Sequence, residues 1–557
     1  MNKLMSLLSA VLLLMVNQPS PKAENSVTAT ETRNRELVLT AHYLNLPVTH
    51  DTLMQKVSLV IDGKTVREFN IELSEGTPGF WVFMDISSFK GKRAVLHAEH
   101  VPTGSRGFDM IFQDDSIKDE DTFYTEKLRP QFHFSSRCGW NNDPNGLVYN
   151  DGEYHLFYQH NPYGWKWGNM HWGHAVSSDL IHWTELSDAL YPDRHGTMFS
   201  GSAVVDHANS SGFQKGADKV MVAAYTADSP ELEVQCIAYS NDRGRTWEKY
   251  VKNPVIGDRH EFAGSHHTRD PKVFWHEPTR KWIMVLFEGT GNSIFTSDDL
   301  KDWKYESHIN GFWECPELFE LPVDGDPSRK KWIMYGASGT YMIGNFDGKI
   351  FTMESGKHYY HQGILYAAQT YNDTPDGRRI QIGWGRVSSP GMRFNQMMTF
   401  PSELTLRSTN EGIRLFIEPI RELATLHTKA YSLNNTMIRG ENRDLLSGIE
   451  AELLHIIAEF EIRTGVNFGL VVNGYRIQYD MNNNRLNDVF LSPEDNIIYL
   501  EILVDRTSVE IYANHGRLYL SEAFNTVDNP KQLELFSHEE ILLKNIEIYE
   551  LKPIWER

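Results

Sequence analysis

The sequence predicts an all-β protein: a five-bladed β-propeller followed by a C-terminal β-sandwich and preceded by a small N-terminal β domain. Three observations carry this expectation. Short alternating runs of Val, Ile, Tyr, Phe and Trp, cut by Asp-Gly and Asn-Gly turns, fill most of the chain, while amphipathic helical periodicity is scarce. A Ser-x-Asp signal followed by Trp recurs in SSDLIHW, SNDRGRTW and TSDDLKDW, and the closing Trp183, Trp247 and Trp303 are 64 and 56 residues apart. A second repeat pairs RKWIMVLF around Trp282 with KKWIMYGA around Trp332. Each interval fits one four-stranded blade, and at this spacing the middle of the chain holds about five.

Taken in order, residues 1–23 read as a signal peptide. A short positive start precedes the apolar run LMSLLSAVLLLMV at residues 4–16, which is too short to span a bilayer and is followed by polar QPSPKAENS. The protein is therefore expected to be exported, periplasmic or secreted, with no membrane insertion once the leader is removed. Residues 24–128 are expected to form an N-terminal accessory β domain. Its strands include LVLTAHYLNLPV and KVSLVIDGKTVREFNIEL, the latter turning at Asp62-Gly63, and it shows no constellation of reactive groups. Residues 129–418 are assigned to the propeller. Residues 419–557, with longer strands such as FGLVVNGYRIQYD and no Ser-x-Asp marker, are assigned to the sandwich.

The 557 residues carry a formal net charge of −20 and no long Lys/Arg run, which argues against nucleic acid or an anionic membrane as partner. Cys138, Cys236 and Cys315 match no zinc spacing, and His266-His267 has no partner at metal-ligand spacing, so neither a metal nor another cofactor is expected.

Aligning the blades by their strands brings out the chemistry. Asp143-Pro144 precedes GLVYN, Asp270-Pro271 precedes KVFWHE, and Glu314-Cys315-Pro316 precedes ELFELP. Three blades thus set a carboxylate ahead of the same strand, with proline one or two residues on. A lone Asp-Pro is ordinarily a turn, and Arg269-Asp270 alone could be a structural ion pair; recurrence at matched positions argues for function. The first strand of each blade lines the central axis, so the three groups should converge at one mouth of the channel, at rigid strand entries outside the paired ladder. Carboxylates held close together resist joint ionisation, which suits glycoside hydrolysis, where one is ionised and another protonated. Gln159, Trp165, Trp167, Asn169 and the Phe199-Ser200 segment add the stacking and hydrogen-bonding groups that sugars require.

WNNDPNG at residues 140–146, Gln159, WGHA at 172–175, FSGS at 199–202, RDP at 269–271 and ECP at 314–316, in this order, resemble glycoside hydrolase family 32, the invertases, inulinases and levanases. PSEL at 401–404 and VDRTSVEIYANHG at 504–516 extend the resemblance to the end of the chain, and the N-terminal domain lies outside it. The resemblance implies retaining hydrolysis of β-fructofuranosidic bonds in levan, inulin or sucrose through a covalent fructosyl-enzyme. Asp143 would be nucleophile, Glu314 general acid/base, and Asp270 with Arg269 a holder of fructosyl hydroxyls. Asn142, Asn145, Gln159, Trp167, Phe199, Ser200 and Tyr366 would complete the substrate-binding set, with Cys315 packed beside the acid. One departure is Ile364, where members often carry an Asp two residues before Tyr-Ala. The alternatives are a fructosyltransferase using the same site and a noncatalytic carbohydrate-binding propeller.

Overall fold

The computed structural model describes residues 29–442, 444–462 and 467–555, and the segment read as a signal peptide lies outside them. Among the described residues, the α-helices are the short Gly107–Met110 and His260–Ala263; nearly everything else that is regular is strand.

Five four-stranded units follow one another. Their innermost strands are Gly139–Asn150, Thr197–Asp206, Thr268–His276, Glu317–Val323 and Leu365–Thr370, and each opens an antiparallel meander. The fifth unit contains a detour, from which Phe394–Asn395 pairs in parallel with Gly139 and Trp140 and so ties the last blade to the first. The Ser-x-Asp repeat now has a physical cause. Asp179 accepts from the Ile181 and His182 amides and from Ser177 Oγ, closing the turn after the third strand. Asp242 and Asp299 repeat the arrangement, and the Trp247 and Trp303 indoles donate back to the Gly244 and Leu300 carbonyls.

One expectation needs correcting. Asp143-Pro144 and Asp270-Pro271 are not strand entries; they lie inside their strands, at bulges between Asn141 and Pro144 and between Arg269 and Lys272. Bulges recur between Met198 and Gly201 and between Tyr366 and Gln369. An extra residue at each re-aims a side chain out of the ladder and toward the axis, and proline is compatible because a bulge needs no ladder N–H there. Backbone strain gathers at the same level: Asp270, Glu314, Cys315 and Ala367 have φ of 63°, 23°, 46° and 48°.

Beneath the bulges the axis is closed by polar stitching. Ser202 Oγ donates to the Pro271 carbonyl and accepts from the Val273 amide, both at 2.8 Å. Asn372 donates to the Ala203 and Val273 carbonyls, and Gln369 to Gly201. Buried Lys272 pairs with Glu317 at 2.8 Å. These contacts join different blades and fix the inner strands relative to one another.

The N-terminal region packs a four-stranded sheet, Thr30–Val38 with Arg93–Pro102, Gln55–Ile61 and Lys64–Ile71, against a three-stranded one around a core that includes Leu44, Val57, Leu59 and Leu96. It rests on the first blade through Phe69 stacked on Tyr163 and Arg67 over Tyr191. At the C-terminal end, Leu533–Leu551 pairs with His427–Asn442, Leu454–Glu461 and Phe468–Val472, and the two layers of the sandwich enclose Ile456, Leu500, Ile502 and Ile546.

Candidate active site

The bulges bring the three carboxylates together. Asp143 accepts from Ser200 Oγ at 2.8 Å and from Asn142 Nδ2 at 3.2 Å; Asn142 is itself held by the Trp140 indole at 2.8 Å. Asp270 accepts from the Cys315 amide at 3.0 Å. The Cys315 thiol lies 3.6 Å from Asp143 Oδ2 and 3.5 Å from Asp270 Oδ2, so one side chain joins two blades' carboxylates. Glu314 accepts from Arg269 at 2.9 Å on one oxygen and from the Tyr366 hydroxyl at 2.6 Å on the other. Arg269 also pairs with Glu233 at 2.9 Å. Ser200, Asp143, Cys315, Asp270, Arg269, Glu314 and Tyr366 thus form one cluster drawn from all five blades.

The electrostatics follow from this crowding. Burial raises the Asp143 pKa, Glu314 adds to the effect, and the bonds from Ser200, Asn142 and Cys315 oppose it. Burial, with Glu314 and Asp143, pushes Asp270 up to about 7 against the opposing pull of Arg269. Burial alone would lower the Arg269 pKa, but Asp270, Glu233 and Glu314 outweigh it and keep the guanidinium charged. Burial and Glu314 hold the Tyr366 phenol protonated well above its ordinary range. Burial and the surrounding carboxylates do the same to Cys315, so it is an S–H donor to Asp143 and Asp270 and not a thiolate. That refines the sequence reading of Cys315 as packing beside the acid.

The remaining sequence-derived residues divide by depth. Trp167 stands at the rim, 57% exposed, edge-on to Phe199. Gln159, 2% exposed, donates to the Met198 carbonyl, and Asn145, 0% exposed, accepts from the Gln159 side chain and backbone amide. Both brace the bulged strands, and for Asn145 this is a different role from the sugar contact expected of it: it is sealed beneath the carboxylates. Ile364 packs with Val387 and Met397 in a small apolar cluster. Sequence reasoning missed Trp140 as the support for Asn142 and Glu233 as the second partner of Arg269. Trp140 sat in plain view in WNNDPNG, whereas Glu233 carries no motif at all. Among the described residues, no cluster of His, Cys, Asp and Glu is arranged to hold a metal ion.

Comparison with known proteins identifies the family. The glycosyl hydrolases family 32 N-terminal domain matches residues 133–419, and the family 32 C-terminal domain matches residues 422–550. The chain is 40% identical over 504 residues to a levanase of Bacillus subtilis (strain 168), covering 80% of this chain and 73% of that protein. It is 34% identical over 480 residues to the extracellular exo-inulinase inuE of Aspergillus niger (strain ATCC MYA-4892 / CBS 513.88 / FGSC A1513), covering 72% and 89%. The crystal structure of the Aspergillus awamori exo-inulinase superposes with a TM-score of 0.72 at 29% identity, over 78% of this chain and all of that one. A five-bladed propeller that gathers three carboxylates, is joined to a β-sandwich and is matched along both halves by one family's models places this chain in glycosyl hydrolases family 32.

Proposed function

We propose that the protein is a retaining β-fructofuranosidase that hydrolyses levan or inulin in preference to sucrose. The observation that carries the reading is the shared network in which Asp143, Asp270 and Glu314, from three blades, meet around Cys315 and Arg269. The relatives named levanase and exo-inulinase support the substrate class.

In the proposed mechanism Asp143 attacks the anomeric carbon of the terminal fructosyl unit while Glu314 gives its proton to the departing oxygen. The fructosyl ester with Asp143 is then opened by water, which Glu314, now a base, deprotonates. Asp270 and Arg269 hold ring hydroxyls, and Tyr366 and Arg269 orient the acid. Asn142 and Ser200 fix the nucleophile, with Trp167 and Phe199 at the rim to stack against sugar. The complete set of reacting groups argues against a noncatalytic binding propeller. The domain assignment that goes with this reading places the accessory β domain at 24–128, the catalytic propeller at 129–418 and the sandwich at 419–557. Export to the periplasm or medium fits a polymeric substrate, and one relative is named extracellular.

The test is fructose release from levan, inulin and sucrose by the wild-type chain, Asp143→Asn and Glu314→Gln. Each variant should lose about 10²–10⁴-fold in kcat on sucrose while still folding and unfolding cooperatively. Near-wild-type turnover by either would remove the mechanism, and a higher kcat/KM on sucrose than on both polymers would remove the substrate preference.

A further inference from the structure

The inner strands run past the carboxylates to the other end of the axis, and there they line a second cavity, of about 630 Å3. Val204, Phe274 and Leu318 on its wall lie four residues beyond Ser200, Asp270 and Glu314. The bulges shorten the roughly 13 Å that four residues of straight strand would span, but none of Asp143, Asp270 and Glu314 is on the cavity wall, so the cavity is separate from the site described above. Its volume falls within the roughly 300–1,000 Å3 of small-molecule sites.

The lining has the chemistry of a sugar site. Trp275, Trp282 and Trp332 supply aromatic surface, and Trp275 is 39% exposed at the mouth. Its indole donates to Glu277 at 2.6 Å, and Trp282 packs edge-on against it with centroids 5.1 Å apart, which fixes the ring's orientation. On the wall, Arg379 donates through Nη1 to Thr370 and the Tyr371 carbonyl and lies over the Phe319 ring; its Nε and Nη2 make no hydrogen bond among the described residues. Asp373, beside His207, adds an acceptor that is 34% exposed. The carboxylates of Glu277, Glu320 and Asp373 are offset by Arg280 and Arg379, so neither a phosphate nor a cation is favoured. A neutral polyhydroxylated ligand uses such a mixture fully: donors and acceptors for its hydroxyls, and ring faces for its C–H surfaces.

We propose that this cavity is a second, noncatalytic site for a neutral sugar chain, and that it holds a segment of fructan while the carboxylate site works on an end. The choice of fructan over another glycan rests on the proposed activity; the preference for a neutral sugar does not.

The test is native electrophoresis of the full chain through gels containing levan, inulin or dextran, in the Asp143→Asn background so that polymer is not consumed. The parent should be retarded by a fructan. Adding Trp275→Ala should weaken apparent affinity about 3–10-fold, and Trp275→Phe should restore most of it. In the active chain Trp275→Ala should leave sucrose turnover within about twofold while raising KM for polymer. Equal retardation of the Ala variant and its parent overturns the proposal, as does a parallel loss of sucrose turnover, and retardation by dextran alone overturns the choice of fructan. An unretarded parent whose active form still releases fructose from sucrose removes the second site only, whereas no fructose from any substrate removes the activity.

Discussion

At the residue scale the site is a compromise between burial and ionisation. As the proposed nucleophile Asp143 has to be charged to attack, yet burial and Glu314 work against its charge, and the bond from Ser200 Oγ at 2.8 Å is the largest counterweight. Ser200→Ala should therefore raise the Asp143 pKa further. Because a nucleophilic carboxylate loses activity as pH falls through its pKa, the acid limb of kcat/KM should move upward by about one pH unit, the worth of a hydrogen bond to a charged group. An unmoved limb would mean that another residue governs it. Asp270 makes a complementary prediction for stability. Its pKa is raised from 3.8 to about 7 in the fold, so the folded state holds a proton that the unfolded chain has released. The stabilisation from that proton is complete below pH 3.8 and is lost as pH rises through 7. Asp270→Asn removes this dependence, and its melting temperature should gain on the wild type by roughly 2 °C or more between pH 5 and pH 8, with activity abolished at both.

At the element scale, the bulged inner strand separates residues that serve chemistry from residues that serve the blade. Ser202, 1% exposed, bridges the Pro271 carbonyl and the Val273 amide. Ser202→Ala leaves both without that partner and should cost about 2 kcal/mol, and since Asp270 sits one residue from the broken bridge, kcat should fall as well. Asp299→Ala removes a turn at the far side of a blade and should cost about 1 kcal/mol with kcat unchanged; denaturant unfolding and sucrose turnover measured on both variants check the contrast. This distinction also explains what was legible in the sequence. The blade count was readable because the Ser-x-Asp turn is local, its hydrogen bonds spanning at most five residues, so three successive blades state it and fix the spacing. The carboxylates were readable because three blades share one position relative to a strand and a proline. The bulge was not, since Asp-Pro fits a strand entry equally well and only pairing across to Tyr158 or Val285 tells them apart. Glu233 was invisible for the same reason: its contact with Arg269 is made 36 residues away by tertiary packing alone.

At the scale of the whole molecule, the propeller and the sandwich are joined by charge as well as by apolar packing. His133, 1% exposed, bonds Asp505 at 2.8 Å through Nδ1 and faces Glu510 at 3.3 Å through Nε2. Asp505 also accepts from the Gln131 and Phe132 amides, and Glu510 from the Phe400 amide and Tyr512. Both acids belong to VDRTSVEIYANHG, a segment whose sequence marked the sandwich without revealing that it grips the start of the propeller. Burial alone would strip the His133 proton; the two carboxylates outweigh it and raise the pKa from 6.5 to about 9. The sign of the linkage follows. A group whose folded pKa is raised stabilises fully below its unfolded value, here 6.5, and that contribution is lost as pH climbs through 9. Asp505, whose pKa is lowered, acts in the opposite direction: its contribution is present above 3.8 and is lost as pH falls through the depressed folded value. The contribution of this joint to thermal stability should therefore be flat between about pH 4 and 6.5 and decline from there toward pH 9, on top of the separate loss that Asp270 causes. His133→Gln keeps a donor but removes the charge, leaving Asp505 and Glu510 buried without their counterion, and should cost about 3 kcal/mol at pH 6. Its distinguishing signature is the slope: scanning calorimetry between pH 6.5 and 9 should show a melting temperature that falls less steeply than the wild type's. Parallel slopes in the two proteins would mean that His133 is neutral at the joint and that apolar packing alone holds the propeller to the sandwich.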